Sequence, residues 1–281
     1  MLTEQAIRLP NGVTLRYVEQ GPADAMPLIL LHGFPDSWLS YETVLANLPS
    51  PIRAIALSQR GFGRSDKPGG GYHPRDQAAD LADFMKVRRI PRAIVAGHSM
   101  GALVVQRFAL DFPERVAGLV LIGTFKTLRD STELAELIDE VSKMSDPIDL
   151  DLVRAFQAST LAQPVADEFF RTVVAEGARL PLRIWRGVLK EVAAYDDFTE
   201  LAQIAAPTVL FWGEHDNFST YEQQQELASE IPGAELRVYA GAGHSLHWEE
   251  PRRFASDLAN VVRTLERDRA TRQPLKGRMR A

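Results

Sequence analysis

The chain has 281 residues, 45% of them hydrophobic and 25% charged, enough to bury a substantial core in one large domain or in a domain with an insertion, which excludes disorder throughout. It contains no cysteine, which removes disulfides, thiolate metal sites and thiol nucleophiles and fits a reducing compartment. A net charge of −5 is too mild to imply an acidic-substrate or nucleic-acid role, and no apolar run approaches the roughly 18 residues of a membrane span.

The opening "MLTEQAIRLPNG" carries an acidic residue and no apolar signal core, so a cytoplasmic protein without membrane or nucleic-acid partners is expected. "AIRLP" and "VTLRYVE" flank Asn11-Gly12 and predict a hairpin. "PLILL", "IRAIAL", "RAIVAG" and "VAGLVLIG" follow as short, continuous apolar runs, the signature of strands buried on both faces. Later come "PTVLFWG" and "AELRVYAG", for a total of eight. Strand patterns alternating with helical ones predict an α/β fold, a mostly parallel sheet flanked by helices.

Between the sixth and seventh strands, over 125–200, helical spacing replaces strand patterns. Leu134, Leu137, Ile138 and Val141 share a face, as do Leu152, Val153 and Phe156, then Val165, Phe169 and Val173, then Leu182, Trp185, Leu189 and Val192. Pro164 and Pro181 stand where helices would begin, and Asp130 and Asp149 are candidate N-caps. The expected organisation is a core formed by 1–124 and 201–265, an all-helical cap at 125–200, and a basic tail at 266–281. The tail carries Arg267, Arg269, Arg272, Lys276, Arg278 and Arg280 against Glu266 and Asp268 and reads as a solvated extension.

Chemistry concentrates in "VAGHSMGALVV". Ser99 follows the apolar run "RAIVA", and Met100, Leu103, Val104 and Phe108 then recur at helical spacing until Pro113, so the serine sits on a strand-to-helix turn. Serine there is ordinarily an N-cap. That role leaves Gly101 unexplained, because glycine in a helix costs roughly 1 kcal/mol relative to alanine. Something requires space beside it.

With its flanking glycines, this segment resembles the nucleophile elbow of the α/β-hydrolase family. The resemblance extends from the first hairpin to the final helix containing Phe254, Leu258 and Val261. It implies an eight-stranded α/β-hydrolase fold and a catalytic triad in the chain order serine, acid, histidine. His244 in "YAGAGHSLHWEEP" matches the family's GxGH loop, with His247 as rival. Asp216 in "LFWGEHDNF" occupies the usual place of the acid, with Glu214 as neighbour. Backbone N–H groups of Met100 and of Phe34, in "LLHGFPDSW", would form the oxyanion hole. His32 in that loop reads as structural, and His98 as packing beside the sheet. "SQRGFGRSDKP" has Ser58 where the family usually has an acid, with Arg60 and Ser65 expected to brace loops beneath the pocket.

The cap is expected to wall the substrate pocket, with Phe125, Phe156 and Trp185 as candidate pocket residues. The "HGFP" loop is also similar to that of epoxide hydrolases and haloalkane dehalogenases, which use an aspartate nucleophile where this chain has Ser99. An activated serine suits attack on a carbonyl carbon. The expectation is a carboxylic ester or lactone hydrolase for a small to medium hydrophobic substrate, with no metal or organic cofactor. Carbon–carbon bond hydrolysis, cofactor-free perhydrolysis, and a hydrolase-fold signalling or ligand-binding protein remain open alternatives, as does the oligomeric state.

Overall fold

The computed structural model describes residues 2–129 and 131–272, with side chains as far as Arg267. Asp130 and residues 273–281 lie outside the described residues. Strands β1 (Gln5–Arg8), β2 (Thr14–Gln20), β3 (Pro27–Leu31) and β4 (Arg53–Ser58) come first, with α1 (Glu42–Asn47) before β4 and α2 (Pro74–Val87) after it. Then follow β5 (Ala93–His98), α3 (Met100–Asp111) and β6 (Val116–Ile122). Four helices separate β6 from the next strand: α4 (Thr132–Lys143), α5 (Leu150–Ser159), α6 (Asp167–Ala178) and α7 (Leu182–Ala194). The chain ends with β7 (Thr208–Gly213), α8 (Tyr221–Glu230), β8 (Glu235–Tyr239), α9 (Leu246–Glu249) and α10 (Pro251–Arg272).

The eight strands form one sheet in the order β1-β2-β4-β3-β5-β6-β7-β8. β2 alone runs opposite to the other strands, pairing antiparallel with both β1 and β4. The remaining ladders are parallel. Continuous apolar strands follow from this arrangement, because both faces are covered. In β3, Ile29 and Leu31 join the cluster that includes Leu81 of α2 and Val104 of α3. The alternate residues Leu28 and Leu30 join the opposite cluster with Val44 of α1 and Leu258 of α10.

The α4–α7 insertion has its own apolar core. Val141, Val153, Val174, Ile184 and Trp185 pack together and reach the sheet domain at Phe62, Tyr72, Met100 and Leu103. Asp149 caps α5, accepting from Asp151 N at 2.8 Å, while Ser131 caps α4 by accepting from Leu134 N at 3.1 Å. Arg186 of α7 donates to the carbonyls of Val141, Ser142 and Met144, which closes the C-terminal end of α4 onto its neighbour. The segment expected as a tail from 266 begins inside α10, whose backbone is helical to Arg272. No helix among the described residues is long and apolar enough to cross a membrane.

Candidate active site

Ser99 sits at the C-terminal end of β5, between His98 and the first residue of α3, with φ 55° and ψ −119°. Among described non-glycine residues only Arg89 shares a positive φ. Such a conformation costs about 1–3 kcal/mol and persists only where surrounding structure enforces it. Part of the enforcement is a hydrogen bond from Ser99 N to Ile122 O at 2.8 Å, which ties the turn to β6. The Ser99 side chain makes no capping bond to α3, so the ordinary role of a serine at this position is not the one it plays.

The flanking glycines answer to close backbone approach. A Cβ at Gly97 would lie 2.1 Å from Gly101 O, and one at Gly101 would lie 2.5 Å from Leu31 O and 2.6 Å from His32 O. The N-terminus of α3 therefore rests directly on the ends of β5 and β3. The following loop comes equally close: a Cβ at Gly33 would lie 3.1 Å from Ser99 Cβ and 2.7 Å from His98 Nδ1. Phe34 is thereby set beside the serine. Met100, as the first residue of a helix, has no intrahelical acceptor for its N–H.

His244 stands in the loop after β8 and Asp216 in the loop after β7. The Nδ1–H of His244 donates to Asp216 Oδ2 at 2.9 Å, and both side chains are buried. Two further donors hold the carboxylate: Phe218 N reaches Oδ1 at 2.7 Å and Ser219 Oγ reaches Oδ2 at 3.1 Å. Glu214 instead accepts from Gly241 N at 2.9 Å, and His247 packs against His98 with ring centroids 4.4 Å apart. The structure thus brings together the acid and histidine singled out from sequence, and neither rival takes part in the pair. The His244 loop is fastened to the insertion as well, since Ser245 N donates to Thr160 O at 3.0 Å. The carboxylate of Glu249 bridges Gly243 N and Ala162 N.

His32 bonds the nearby backbone: Nδ1–H donates to Gly33 O at 2.7 Å and Nε2 accepts from Gln59 N at 3.0 Å. Its burial pushes it down to about 4, so the ring is neutral at pH 7. His98 does more than pack beside the sheet. Its Nε2–H donates to His244 O at 3.2 Å, and burial, followed by the nearby His247 and His244, holds it well below the usual histidine range. Arg60 and Ser65 brace in a direction not foreseen: Arg60 pairs with Asp80 of α2, and Ser65 Oγ joins Ser58 O to Arg16 N of β2.

A cavity of about 390 Å³ opens beside Ser99. Phe34, Met100, Phe125 and Phe218 line it from the sheet domain, and Leu134, Leu137, Leu152, Phe156, Val188, Leu189 and Val192 from the insertion. Its polar groups are Ser99, Ser131, Glu133, Ser159 and Asn217. The rings of Phe125 and Phe218 also pack against His244, at centroid distances of 5.6 and 4.6 Å. Trp185 requires correction as a pocket residue. It is fully buried behind the wall, with its Nε1–H on Gly177 O and its ring 4.6 Å from that of Phe34. It shares a helical face with Leu189, but on α7 that face meets both the cavity and the insertion's own core.

The fold and this site place the chain in a known class: it belongs to the alpha/beta hydrolase family, whose model matches residues 28–257. It is 28% identical over 271 residues to the AB hydrolase superfamily protein YisY of Bacillus subtilis (strain 168), covering 90% of this chain and 97% of that one. Among solved structures, the esterase EaEST from Exiguobacterium antarcticum superposes with a TM-score of 0.84 at 21% identity, over 93% of this chain and all of that one (100%). The enol-lactonase from Burkholderia xenovorans LB400 gives 0.82 at 20% identity, over 92% and 100%. At such identities the likeness to solved structures is one of fold.

Proposed function

We propose that the protein is a serine hydrolase that cleaves a carboxylic ester or lactone of a small to medium hydrophobic substrate through an acyl-enzyme. The observation that carries this reading is the His244–Asp216 pair, packed against two phenylalanines that line the same apolar cavity as the strained Ser99. Ser99 Oγ attacks the carbonyl carbon while its proton passes to His244 Nε2, and Asp216 keeps the proton of Nδ1 in place. The oxyanion of the tetrahedral intermediate is held by the N–H groups of Phe34 and Met100.

When the intermediate collapses, the carbonyl carbon–oxygen single bond to the alcohol breaks and the imidazolium returns its proton to the departing oxygen. Water then adds to the acyl-enzyme, giving its proton to His244, and the second collapse frees the acid and restores Ser99. With a lactone the alcohol stays attached, so the product is a hydroxy acid. The cavity lining supports an apolar acyl or lactone body, because burying it there gains roughly 25 cal/mol per Å².

Aryl esters of rising acyl length and a set of lactones, run beside Ser99→Ala, test the reading. Turnover by the variant falls on the order of 10⁶-fold, the loss seen when one member of a cooperating triad is removed. A fluorophosphonate probe labels Ser99 in the wild type. Hydrolysis unchanged in Ser99→Ala overturns the assignment, and a stable adduct without sustained turnover turns it toward a ligand-binding role.

A further inference from the structure

Asp216 is held from behind by a chain of buried side chains that the reaction outlined above does not use. Ser219, just before α8, donates its hydroxyl to Asp216 Oδ2 at 3.1 Å, the same oxygen that accepts from His244. Gln224, in the first turns of α8, reaches two groups with one nitrogen: Nε2 lies 2.7 Å from Thr124 O and 3.1 Å from Ser219 Oγ. Both residues are buried.

Proton direction follows from the partners. The carbonyl of Thr124 can only accept, which fixes the Gln224 amide with its NH₂ toward Thr124 and Ser219. Ser219 Oγ therefore accepts from Gln224, and its single proton is left for Asp216. The backbone holds this order in place. Trp212 Nε1 donates to Ser219 O at 3.1 Å, and Thr220 with Gln223 forms a capping box that sets where α8 begins. Gln224 also ties together the two loops whose next aromatic residues, Phe125 and Phe218, pack on the imidazole.

We infer that Ser219 and Gln224 are positioning residues: their one-way hydrogen bonds hold Oδ2 of Asp216 toward Nδ1 of His244. The inference rests on the proposed roles of Ser99, His244 and Asp216. Losing the Ser219 donor leaves more negative charge on Oδ2, which favours the protonated imidazole opposite it. His98 and His247, the other titratable groups near that ring, are untouched by the change.

The test compares Ser219→Ala, Ser219→Thr and Gln224→Met with wild type on an aryl ester, recording kcat, KM, the pH profile of kcat/KM and the melting temperature. Ser219→Ala is expected to lower kcat about 10- to 100-fold, the worth of one hydrogen bond to a charged group, with KM little changed. Its acid limb moves to higher pH. Ser219→Thr, which keeps the hydroxyl, recovers most of the loss, and Gln224→Met shifts the acid limb in the same direction as Ser219→Ala. A Ser219→Ala profile superimposable on wild type overturns the inference, as does an equal loss in Ala and Thr variants that follows melting temperature alone. An unmoved acid limb in Gln224→Met overturns the part assigned to that amide. Fluorophosphonate labelling separates the two levels: no label at Ser99 of the wild type refutes the serine mechanism itself, whereas a labelled, active wild type with an unaffected Ser219→Ala refutes only the positioning role.

Discussion

Gln157 of α5 donates its side-chain amide to Asp36 at 2.8 Å, joining the helical insertion to the loop that carries Phe34. Both side chains are buried. Burial pushes the Asp36 carboxyl up to about 7, opposed by the Gln157 donor and assisted by the charge of Glu176. An unfolded aspartate titrates near 3.8, so the folded state retains a proton that the unfolded state releases. The associated stability is complete below about pH 4 and is lost as pH rises toward 7. Asp36→Asn keeps an oxygen for Gln157 and cannot ionise. Calorimetric melting of the two proteins should therefore diverge from pH 4 upward, the variant gaining on the order of 4 kcal/mol before the difference levels off above about 7. Parallel pH curves would show that the carboxyl is not held neutral by the fold.

Gly101→Ala is expected to destabilise by about 1–3 kcal/mol, the usual range for overpacking. The added Cβ meets backbone oxygens of Leu31 and His32 at 2.5 and 2.6 Å, and neither can rotate away, so α3 must shift from the strand ends. Ser99 and the N–H of Met100 shift with it, and the proposed ester hydrolysis is expected to fall. Gly69→Ala is the control, since nothing lies within 4 Å of its Cβ position. Urea midpoints measure both variants. Equal stability of Gly101→Ala and wild type would contradict the tight contact.

The sheet was legible because each buried strand is a short apolar run, and the elbow because close packing leaves room only for glycine at 97 and 101. Asp216 and His244 could be named only through the resemblance to the family's acid position and GxGH loop, and the hydrogen bond between them is what the structure adds to set each apart from its neighbour, Glu214 or His247. Trp185 was misplaced because spacing shows which residues share a face of α7 and not which neighbour that face meets. Asp36 and Gln157 stand 121 residues apart, and Ser219 and Gln224 form no periodic pattern. Buried polar pairing of this kind depends on tertiary register, which hydrophobic periodicity does not encode. His98 lay inside the recognised motif, but its bond to His244 O spans 146 positions and had no local signature.

On the proposed ester hydrolysis, Leu137→Trp should shorten the preferred acyl chain. Leu137 lines the cavity from the half-exposed face of α4, so a larger ring can enter the cavity with little disturbance of the insertion's core. Each methylene accommodated or refused in an apolar pocket is worth about 1–3 kcal/mol, or roughly 10- to 200-fold. Acetate esters should be hydrolysed as before, while kcat/KM for the longest acyl esters falls at least tenfold, about 1.4 kcal/mol. Uniform loss across chain lengths would argue that acyl groups do not occupy this cavity.

His247→Phe should relieve acid sensitivity. Its imidazole lies fully buried, with ring centroids 5.1, 5.6 and 5.9 Å from those of Tyr41, Trp248 and Phe254, surroundings that accept a phenyl ring. Burial, and then the nearby His244, pushes His247 down to about 3 from an ordinary 6.5. Because the folded value is depressed, the unfolded chain takes up a proton first; stability is complete above about 6.5 and declines as pH falls toward 3. At pH 4 this one ring accounts for roughly 3 kcal/mol of that decline, and His32, pushed down to about 4, adds a separate contribution that the variant retains. Urea unfolding at pH 7 and pH 4 therefore separates packing from protonation: stability at pH 7 reports packing of the new ring, and the drop between the two pH values should be smaller in the variant by about 3 kcal/mol, with His98 still held low chiefly by its burial. An equal drop in both proteins would mean that His247 is protonated as readily in the fold as outside it.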